Sequence, residues 1–406
     1  KVAILSFPGN NCETESIRAI RRAGMQPVFF RWNSDREQLK QMDAYFIPGG
    51  FSYEDRGRSG MVAARDPVID VIREEAAAGK PVIGICNGAQ VLVESGLIPL
   101  SKGLQMSLAR NAVGDVSPGF LNEWVWIKPT CAKDRCVTSN WDGQMHLPIA
   151  HGEGRFTTED KDVIEELKKN DQVAFSYCDS EGNVSEEIAV TPNGSMFAIA
   201  GICNPEGNVV ALMPHPERSP EGYMYFDSLK IWLDAGKKTP FKIGEKTANT
   251  QVVEVKEVNN PLEIFIDTKI VNNEERTVEQ AAHRIIPSLK LKQMKYISLP
   301  KDSPEKILNT IAIFNPNKEI AYLRRGNAIT KWNPDEKKEE SADGLLQGGT
   351  VFLRRDKPDT GASSLDKGSE TGICYVCRNA EKDDLVRGDI LEIFANPHAS
   401  TLTMLS

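Results

Sequence analysis

Short apolar runs alternate with amphipathic helical patterns over the first 235 residues, and this alternation limits the fold more than any other feature of the sequence. VAILSF, PVFFRW, AYFIPGG and PVIGIC have the composition of buried strands. Helical patterns such as ESIRAIRRAG and AQVLVESG separate them. A β-α-β-α order predicts an α/β domain with a mostly parallel sheet and helices on both faces. The active site of such a domain lies at the carboxyl ends of the strands.

A polar, lysine-rich segment without periodicity, GKKTPFKIGEKTANT, marks a predicted domain boundary at residues 236–250. We predict that residues 1–240 form the α/β domain. Residues 251–330 show a strand-helix-strand-helix-strand order that is compatible with a small ferredoxin-like α+β unit. Residues 331–406 are predicted to be a β-rich and loop-rich region of unknown role.

The composition excludes several classes of protein. A chain of 406 residues with 40% hydrophobic and 26% charged residues is typical of soluble globular proteins with two or more domains. The net charge of -8 argues against nucleic-acid binding and against a basic membrane patch. No apolar stretch reaches the roughly 20 residues that span a bilayer, and the N-terminal KVAILSF predicts a core strand rather than a leader. Eight scattered cysteines are not a disulfide framework, so we predict a cytoplasmic protein.

The stretch PVIGICNGAQ places Cys86 between a predicted buried strand and a predicted helix. Gly84 and Gly88 flank it in the pattern of a nucleophile elbow, where small residues permit a sharp turn that exposes the central side chain. The helix N-terminus beneath the sulfur would favour the thiolate. A buried structural cysteine is the alternative, and the elbow pattern alone does not decide between the two.

The stretch LMPHPE supplies a candidate base and a group to orient it. His215 and Glu217 are two residues apart, so in extended chain they point to the same side. Glu217 would then fix the imidazole tautomer, as the acid does in hydrolytic triads. Oxyanion donors would come from the N–H of Asn87 and from the turn FIPGGFS at Gly50 and Phe51. A structural histidine and an ordinary tight turn are the alternatives.

Taken in order, the glycine-rich turn, the cysteine elbow and H-P-E resemble the class I glutamine amidotransferases. The flanking text is most similar to one branch of that family, the glutaminase subunits of phosphoribosylformylglycinamidine (FGAM) synthase. The resemblance covers roughly residues 1 to 236 and implies a flavodoxin-like fold. The segments that carry it are FPGNNCETE, IPGGFSYEDRGRSGMVAAR, PVIGICNGAQVLVESGLIP, LPIAHGEGRF and TPNGSMFAIAGICNPEGNVVALMPHPER.

The resemblance implies an enzyme that hydrolyses glutamine to glutamate and ammonia. It makes Cys86 the nucleophile, His215 the base and acid, and Glu217 the residue that orients the imidazole. It also implies that Gln90 and Asn111 contact the glutamine substrate.

The sequence departs from the family pattern after Asn111. Val113 and the pair Asp115-Val116 stand where the family usually has a serine and an Arg-Phe pair. The sequence therefore lacks the residues that the family usually has for contacts with the α-amino and carboxylate groups of glutamine. The stretch HGEGR, residues 151–155, resembles a family loop near the glutamine site or the synthetase interface, and we give it no catalytic role.

The resemblance also implies a partner. The sequence contains no recognisable ATP site, and an amide becomes an amidine only with ATP, so we expect ATP and magnesium on a separate FGAM synthetase and no cofactor in this chain. Residues 251 to about 325 loosely resemble the small bridging subunit of multi-chain FGAM synthases, with a general interaction domain as the alternative. Delivery of ammonia to another acceptor and a non-catalytic scaffold stay open as functions of the whole chain.

Two cysteine patterns have some of the residue types of a metal site. Cys131 and Cys136 precede His146 and His151, but their spacing fits no common structural zinc pattern. The stretch CYVC near the C-terminus is a lone C-x-x-C without a second pair. We therefore predict no metal site from the sequence.

Overall fold

The protein divides into two compact units in the computed structural model, Lys1–Ala248 and Asn249–Ser406. Part of the predicted boundary segment, residues 245–250, lies outside the part of the chain that the structure describes. The described residues are 1–244, 251–255, 260–342 and 344–405.

The N-terminal unit has the alternating order of strands and helices that the sequence predicts. Its strands are β1 (Val2–Ser6), β2 (Pro27–Arg31), β3 (Ala44–Ile47), β4 (Val82–Ile85), β5 (Ser107–Arg110), β6 (Leu121–Pro129), β7 (Met145–His151), β8 (Glu153–Thr157), β9 (Phe175–Cys178), β10 (Ile199–Cys203) and β11 (Val209–Leu212). Its α-helices are α1 (Glu13–Arg22), α2 (Pro67–Ala77), α3 (Asn87–Glu94), α4 (Lys161–Lys169) and α5 (Tyr223–Asp234).

Nine of these strands form one sheet in the order β2-β1-β3-β4-β11-β10-β9-β6-β7. The first five run parallel to one another, and the remaining four extend the sheet with antiparallel pairs. The parallel part has the strand order of flavodoxin-like folds, which confirms the predicted fold class. Because parallel strands end at a common edge, the segments that follow β1, β3, β4 and β11 start from the same edge of the sheet. We call this the catalytic edge.

Burial explains why these segments form strands and helices. The parallel strands β3, β4 and β11 are buried along their whole length, as expected for strands covered on both faces. Helix α3 is also buried at every residue, because it packs against β3, β4 and β11. Helix α2 begins at Pro67, where Asp66 caps it by accepting a hydrogen bond from the N–H of Val68 at 2.9 Å.

The C-terminal unit is built mainly from strands. They are β12 (Val252–Val255), β13 (Leu262–Thr268), β14 (Lys290–Leu299), β15 (Glu319–Arg325), β16 (Ala328–Asn333), β17 (Lys338–Ser341), β18 (Thr350–Asp356), β19 (Glu370–Arg378) and β20 (Ser400–Leu405). Its α-helices are α6 (Asn273–Ala282), α7 (Glu305–Leu308), α8 (Lys382–Leu385) and α9 (Gly388–Phe394).

One nine-stranded sheet runs through this unit in the order β12-β20-β18-β19-β14-β13-β15-β16-β17. Strand β16 crosses the boundary predicted between residues 330 and 331, and β19 pairs along β14 from the other side of that boundary. The division into domains 251–330 and 331–406 is therefore wrong. Apolar patterns identify strands, whereas the pairing of strands depends on contacts between residues that are distant in the sequence.

The expected ferredoxin-like arrangement of residues 251–330 is also wrong. Strands β13 and β14 flank helix α6 and pair directly with each other in antiparallel orientation. In a ferredoxin-like unit, the two strands that flank the first helix run parallel with another strand between them. No helix in the described parts of either unit is long and apolar enough to cross a membrane.

Candidate active site

Cys86 lies on a sharp turn between β4 and α3. Its φ of 52° and ψ of -106° place it in a region that residues other than glycine rarely adopt. The flanking glycines permit the turn, since a Cβ on Gly84 would lie 2.5 Å from the carbonyl oxygen of Gly88. A Cβ on Gly88 would lie 1.9 Å from the carbonyl oxygen of Ile47 at the end of β3. The sharp strand-to-helix turn predicted from the sequence is therefore present.

His215 follows β11, the parallel neighbour of β4. Its Nδ1 lies 2.5 Å from Oε1 of Glu217, and both side chains are almost fully buried. A carboxylate only accepts hydrogen bonds, so Nδ1 carries a proton. Burial alone disfavours the charged imidazole, but the charges of Glu217 and Cys86 outweigh it and raise the pKa of His215 well above its usual value.

The three predicted catalytic residues meet around Gly49, at the end of β3. A Cβ on Gly49 would lie 2.7 Å from Cε1 of His215 and 3.4 Å from Cβ of Cys86. Since Glu217 is bonded to the other side of the same imidazole, the structure brings Cys86, His215 and Glu217 together at the catalytic edge. Only Gly fits at position 49, because any larger side chain would separate the imidazole from the cysteine.

The predicted oxyanion turn lies against the elbow. Oδ1 of Asn87 accepts a hydrogen bond from the N–H of Ser52 at 3.1 Å, which ties the turn to the start of α3. Asn87 is the first residue of that helix, where N–H groups have no partner within the helix. The N–H of Phe51, however, donates to the carbonyl oxygen of Gly9 at 3.1 Å. Phe51 can therefore serve an oxyanion only if the turn releases this bond.

Gln90 lies one helical turn after Cys86 and is 4% exposed. Its Nε2 donates to the carbonyl oxygen of Glu153, and its Oε1 accepts from Nδ2 of Asn87 at 2.9 Å. The carboxamide is thus beside the elbow but bonded within the protein. A contact between Gln90 and a substrate requires one of these hydrogen bonds to be exchanged.

Asn111 is fully buried, and its carboxamide holds the loop that follows β7. Its Nδ2 donates to the carbonyl oxygens of Gly119 and His151, at 3.0 and 2.8 Å. Its Oδ1 accepts from the N–H of Gly154 and lies 3.2 Å from Nδ1 of His151. These bonds use all the polar atoms of the side chain, so this arrangement gives no support to the predicted contact between Asn111 and the substrate.

His151 is a site residue to which the sequence analysis assigned no catalytic role. Because Asn111 presents an oxygen to its Nδ1, that nitrogen carries the proton, and Nε2 is a lone-pair acceptor. Nε2 is buried and has no hydrogen-bond partner. Burial and the charge of His215 lower the pKa of His151 to about 3, so the ring stays neutral. The stretch HGEGR indicated the loop, but not this unused acceptor.

Cys12 is a second residue that the sequence analysis missed. It is 1% exposed and accepts a hydrogen bond on Sγ from Nη2 of Arg218 at 2.9 Å. A Cβ on Gly49 would lie 3.1 Å from this sulfur, so Cys12 belongs to the same cluster as His215. A signal was available, because Cys12 follows β1 and the segments after parallel strands gather at one edge.

The segment next to the oxyanion turn is strained and acidic. Tyr53, Glu54 and Asp55 have φ values of 53°, 58° and 54°, three consecutive left-handed residues. Asn87 donates to Oδ1 of Asp55 at 3.2 Å. Burial, together with the charge of Glu153, raises the pKa of Asp55 to about 7. A carboxyl group that changes its charge near neutral pH therefore lies beside the elbow.

Comparison with known proteins relates this site to a family. The model of the CobB/CobQ-like glutamine amidotransferase domain matches residues 1–228. Subunit PurQ of phosphoribosylformylglycinamidine synthase from Methanothrix thermoacetophila is 46% identical over 226 residues, which cover 54% of this chain and 86% of that protein. The PurQ subunit from Pyrococcus furiosus is 37% identical over 243 residues, 57% of this chain and 98% of that protein. The structure of PurLQS from Thermotoga maritima matches at 30% identity with a TM-score of 0.46, and the match covers 57% of this chain and 98% of that chain.

Proposed function

We propose that this chain, which belongs to the CobB/CobQ-like glutamine amidotransferase family, hydrolyses glutamine at Cys86 and delivers the ammonia to an ATP-dependent FGAM synthetase. The basis of the proposal is its similarity to the PurQ glutaminase subunits of FGAM synthase. The observation that carries the proposal is the meeting of Cys86, His215 and Glu217 at the catalytic edge. Family membership alone leaves the chemistry open, because a scaffold can keep a fold without keeping these groups in contact.

The first half of the reaction releases ammonia. Sγ of Cys86 attacks the side-chain amide carbon of glutamine, a sulfur–carbon bond forms, and the carbonyl electrons move to oxygen to give a tetrahedral oxyanion. As the oxyanion collapses, the carbon–nitrogen bond breaks and His215 gives its proton to the leaving nitrogen. The raised pKa of His215 keeps this proton available. The products are ammonia and a γ-glutamyl thioester on Cys86.

The second half restores the enzyme. Neutral His215 takes a proton from water, the hydroxide attacks the thioester carbon, and the sulfur of Cys86 leaves to release glutamate. His215 then holds the proton for the next cycle. Throughout, Glu217 accepts the Nδ1 hydrogen of His215, so Nε2 is the nitrogen that exchanges protons with the reactants.

Two features of the site give it a means of control by a partner. We assign the oxyanion to the N–H groups of Gly50 and Asn87, joined by Phe51 once its bond to Gly9 is released. Gln90 likewise has to exchange a bond within the protein for one to glutamine. A partner that moves the turn would therefore raise the rate of hydrolysis.

The remaining assignments follow from the chemistry. The nucleophile and proton carrier are side chains, so the glutaminase step needs no cofactor in this chain, and ATP with magnesium belongs to the synthetase that forms the amidine. Eight cysteines without a disulfide among them suit a cytoplasmic reaction. The family match ends at residue 228, before the C-terminal unit, to which we assign a docking role for the synthetase or a bridging subunit.

The test compares glutamine hydrolysis by the full chain alone and with FGAM synthetase. We expect slow hydrolysis alone and faster hydrolysis in the complex. Replacement Cys86→Ala should remove glutamine-dependent synthesis and leave synthesis from added ammonia intact. Loss of both activities would contradict the assigned role of Cys86, and failure to bind or support the synthetase would point to another ammonia acceptor or to a scaffold.

A further inference from the structure

The glutaminase mechanism does not use the sulfur of Cys12, although it lies within the catalytic cluster. Cys12 is 1% exposed. A Cβ on Gly49 would lie 3.1 Å from its Sγ and 2.7 Å from Cε1 of His215, so the sulfur and the imidazole are neighbours. The guanidinium of Arg218 fixes the sulfur through a 2.9 Å hydrogen bond. A second buried thiol beside a catalytic histidine has no part in forming or hydrolysing the thioester, so its position calls for another explanation.

Cys12, His215 and Glu217 together offer one sulfur, one nitrogen and one oxygen ligand, and these atoms all lie within 4.8 Å of one another. One carboxylate oxygen of Glu217 is available to bind a metal ion. Its Oε1 is bonded to His215, but its Oε2 is buried and has no hydrogen-bond partner. An unpartnered carboxylate oxygen is costly in a buried site, and a bound cation would satisfy it.

We propose that Cys12, His215 and Glu217 form an inhibitory site for a zinc ion, with water in the fourth position. Zinc prefers tetrahedral sites of thiolate, imidazole and carboxylate ligands, whose atoms are then about 3.3 to 3.8 Å apart. Ligand atoms that already lie within 4.8 Å need to close in by only about 1 Å. Magnesium, which the synthetase reaction uses, prefers oxygen ligands and does not compete for a site that contains a thiolate.

Zinc at this position stops hydrolysis because it occupies the imidazole and the carboxylate that the reaction needs. This consequence rests on the proposed glutaminase function, whereas the binding of zinc does not. Binding displaces the thiol proton of Cys12 and the proton on the His215 nitrogen that becomes the ligand, and removal of zinc by a chelator restores the free, protonated side chains. Cys12 thus makes the catalytic pair His215 and Glu217 a metal site, without itself contacting glutamine.

The binding test uses cobalt(II) as a spectroscopic substitute for zinc on the full chain. Coordination by a thiolate produces a charge-transfer absorption band. The band should form in the unaltered chain and in Cys86→Ser, which lacks the nucleophile but keeps all three ligands. It should be absent in Cys12→Ser and in Cys12→Ala. Because Cys86→Ser is inactive, a band in that variant reports metal binding independently of whether the chain is a glutaminase.

The activity test titrates zinc chloride against glutamine hydrolysis, with Cys131→Ser as a matched control. Cys131 lies outside the catalytic cluster and is linked to Cys136 and Cys203, the other thiols on which zinc could settle. Zinc should inhibit the unaltered chain and Cys131→Ser equally, and a chelator should reverse the inhibition. In Cys12→Ser, the concentration for half inhibition should rise by at least about tenfold. Equal inhibition of Cys12→Ser and the unaltered chain would overturn the proposal.

A measurement on the unaltered protein covers the case in which the Cys12 variants do not fold. X-ray absorption at the zinc edge, with one equivalent bound, should give one sulfur and otherwise nitrogen and oxygen neighbours. Two or more sulfur neighbours would place the ion on another group of thiols and refute the site.

Discussion

Cys86 in the N-terminal unit and Cys374 and Cys377 in the C-terminal unit are all buried, but they lie in very different surroundings. Cys86 is 4% exposed and shares the catalytic edge with an imidazole and a carboxylate. Cys374 and Cys377 lie in the interior of β19, which pairs with an antiparallel strand on each side. Burial raises the pKa of Cys377 to about 12 and that of Cys374 well above its usual range.

The difference shows that burial does not decide what a thiol can do. At the edge of a parallel sheet, residues 86 and 215 come together because both follow neighbouring parallel strands. Among the antiparallel strands around β19, Cys374 packs against apolar side chains, including Phe265 and Met294. The chemistry therefore depends on the connections between strands, which gather polar groups at one edge.

Removal of one thiol from each region gives the largest predicted contrast. Cys86→Ala should lower glutamine hydrolysis by roughly 10⁶-fold, because no other group forms the thioester. Cys374→Ala should leave the rate per folded molecule unchanged, although it opens a small cavity and lowers the melting temperature. Steady-state ammonia release by the two variants measures the contrast. Similar losses in both would mean that the two cysteines are not distinguished by their surroundings.

The residues around the Cys86 thiol should contribute unequally. His215→Ala removes the proton carrier and should cost roughly 10⁵-fold or more in kcat, whereas Glu217→Gln removes only the group that orients the imidazole and should cost about 10- to 100-fold less. Both variants are assayed at saturating glutamine. If both retained nearly full activity, the H-P-E turn would be structural and the contrast between the two regions would disappear.

One carboxyl group in each unit should contribute to the free energy of unfolding with an opposite dependence on pH. Burial raises the pKa of Asp55 to about 7, so between about pH 4 and pH 7 the folded chain binds a proton that the unfolded chain has lost. Stability contributed by this group therefore falls as the pH rises through that range. Asp55→Asn should raise the free energy of unfolding at pH 8, on the order of 2 kcal/mol, with no gain below pH 4. Asparagine also tolerates the left-handed backbone at this position.

Glu319 in the C-terminal unit is the matched control. Burial opposes its charge, but the N–H of Asn315 and the ammonium of Lys295 outweigh that cost and lower its pKa. Its stabilising contribution is present above its ordinary pKa and is lost as the pH falls. Glu319→Gln should therefore destabilise the chain at pH 8, opposite to Asp55→Asn. Denaturant unfolding at pH 4 and pH 8 measures both, and an equal sign for the two variants would contradict the assigned surroundings.

The smallest effect on chemistry should come from removal of the whole C-terminal unit. A chain that ends at Gly244 keeps α5 and every candidate catalytic residue, so its intrinsic glutaminase rate should be unchanged. Its association with the synthetase should weaken if Asn249–Ser406 is a docking unit. Co-purification and a glutaminase assay measure the two effects. An insoluble product would mean that the units depend on each other to fold, and unchanged binding would contradict the docking role.

Much of the N-terminal unit could be predicted from the sequence because its signals are local. Alternating apolar runs predicted the parallel sheet, and the small residues around Cys86 predicted the sharp turn. His215 and Glu217 were identified as a pair because two residues in one short motif face each other.

The rest depends on contacts between distant positions. Cys12 joins the site through Gly49 and Arg218, which are far from it in the sequence. The unpartnered nitrogen of His151 follows from hydrogen bonds to Asn111 that no local pattern reports. The pairing of β14 with β19, which joins the predicted domains 251–330 and 331–406, likewise has no local signal.

The assignment of Cys86 as the nucleophile is tested most directly with a glutamine analogue that carries an electrophilic carbon in place of the side-chain amide. The measurement is which cysteine reacts with this analogue. Peptide mass mapping after limited reaction of the full chain identifies the labelled residue. We predict label on Cys86 alone, protection of Cys86 by glutamine, and no label on Cys374 or Cys377. Equal labelling of Cys86 and the cysteines of β19, or label that glutamine does not suppress, would contradict the claim that the catalytic edge makes Cys86 the nucleophile.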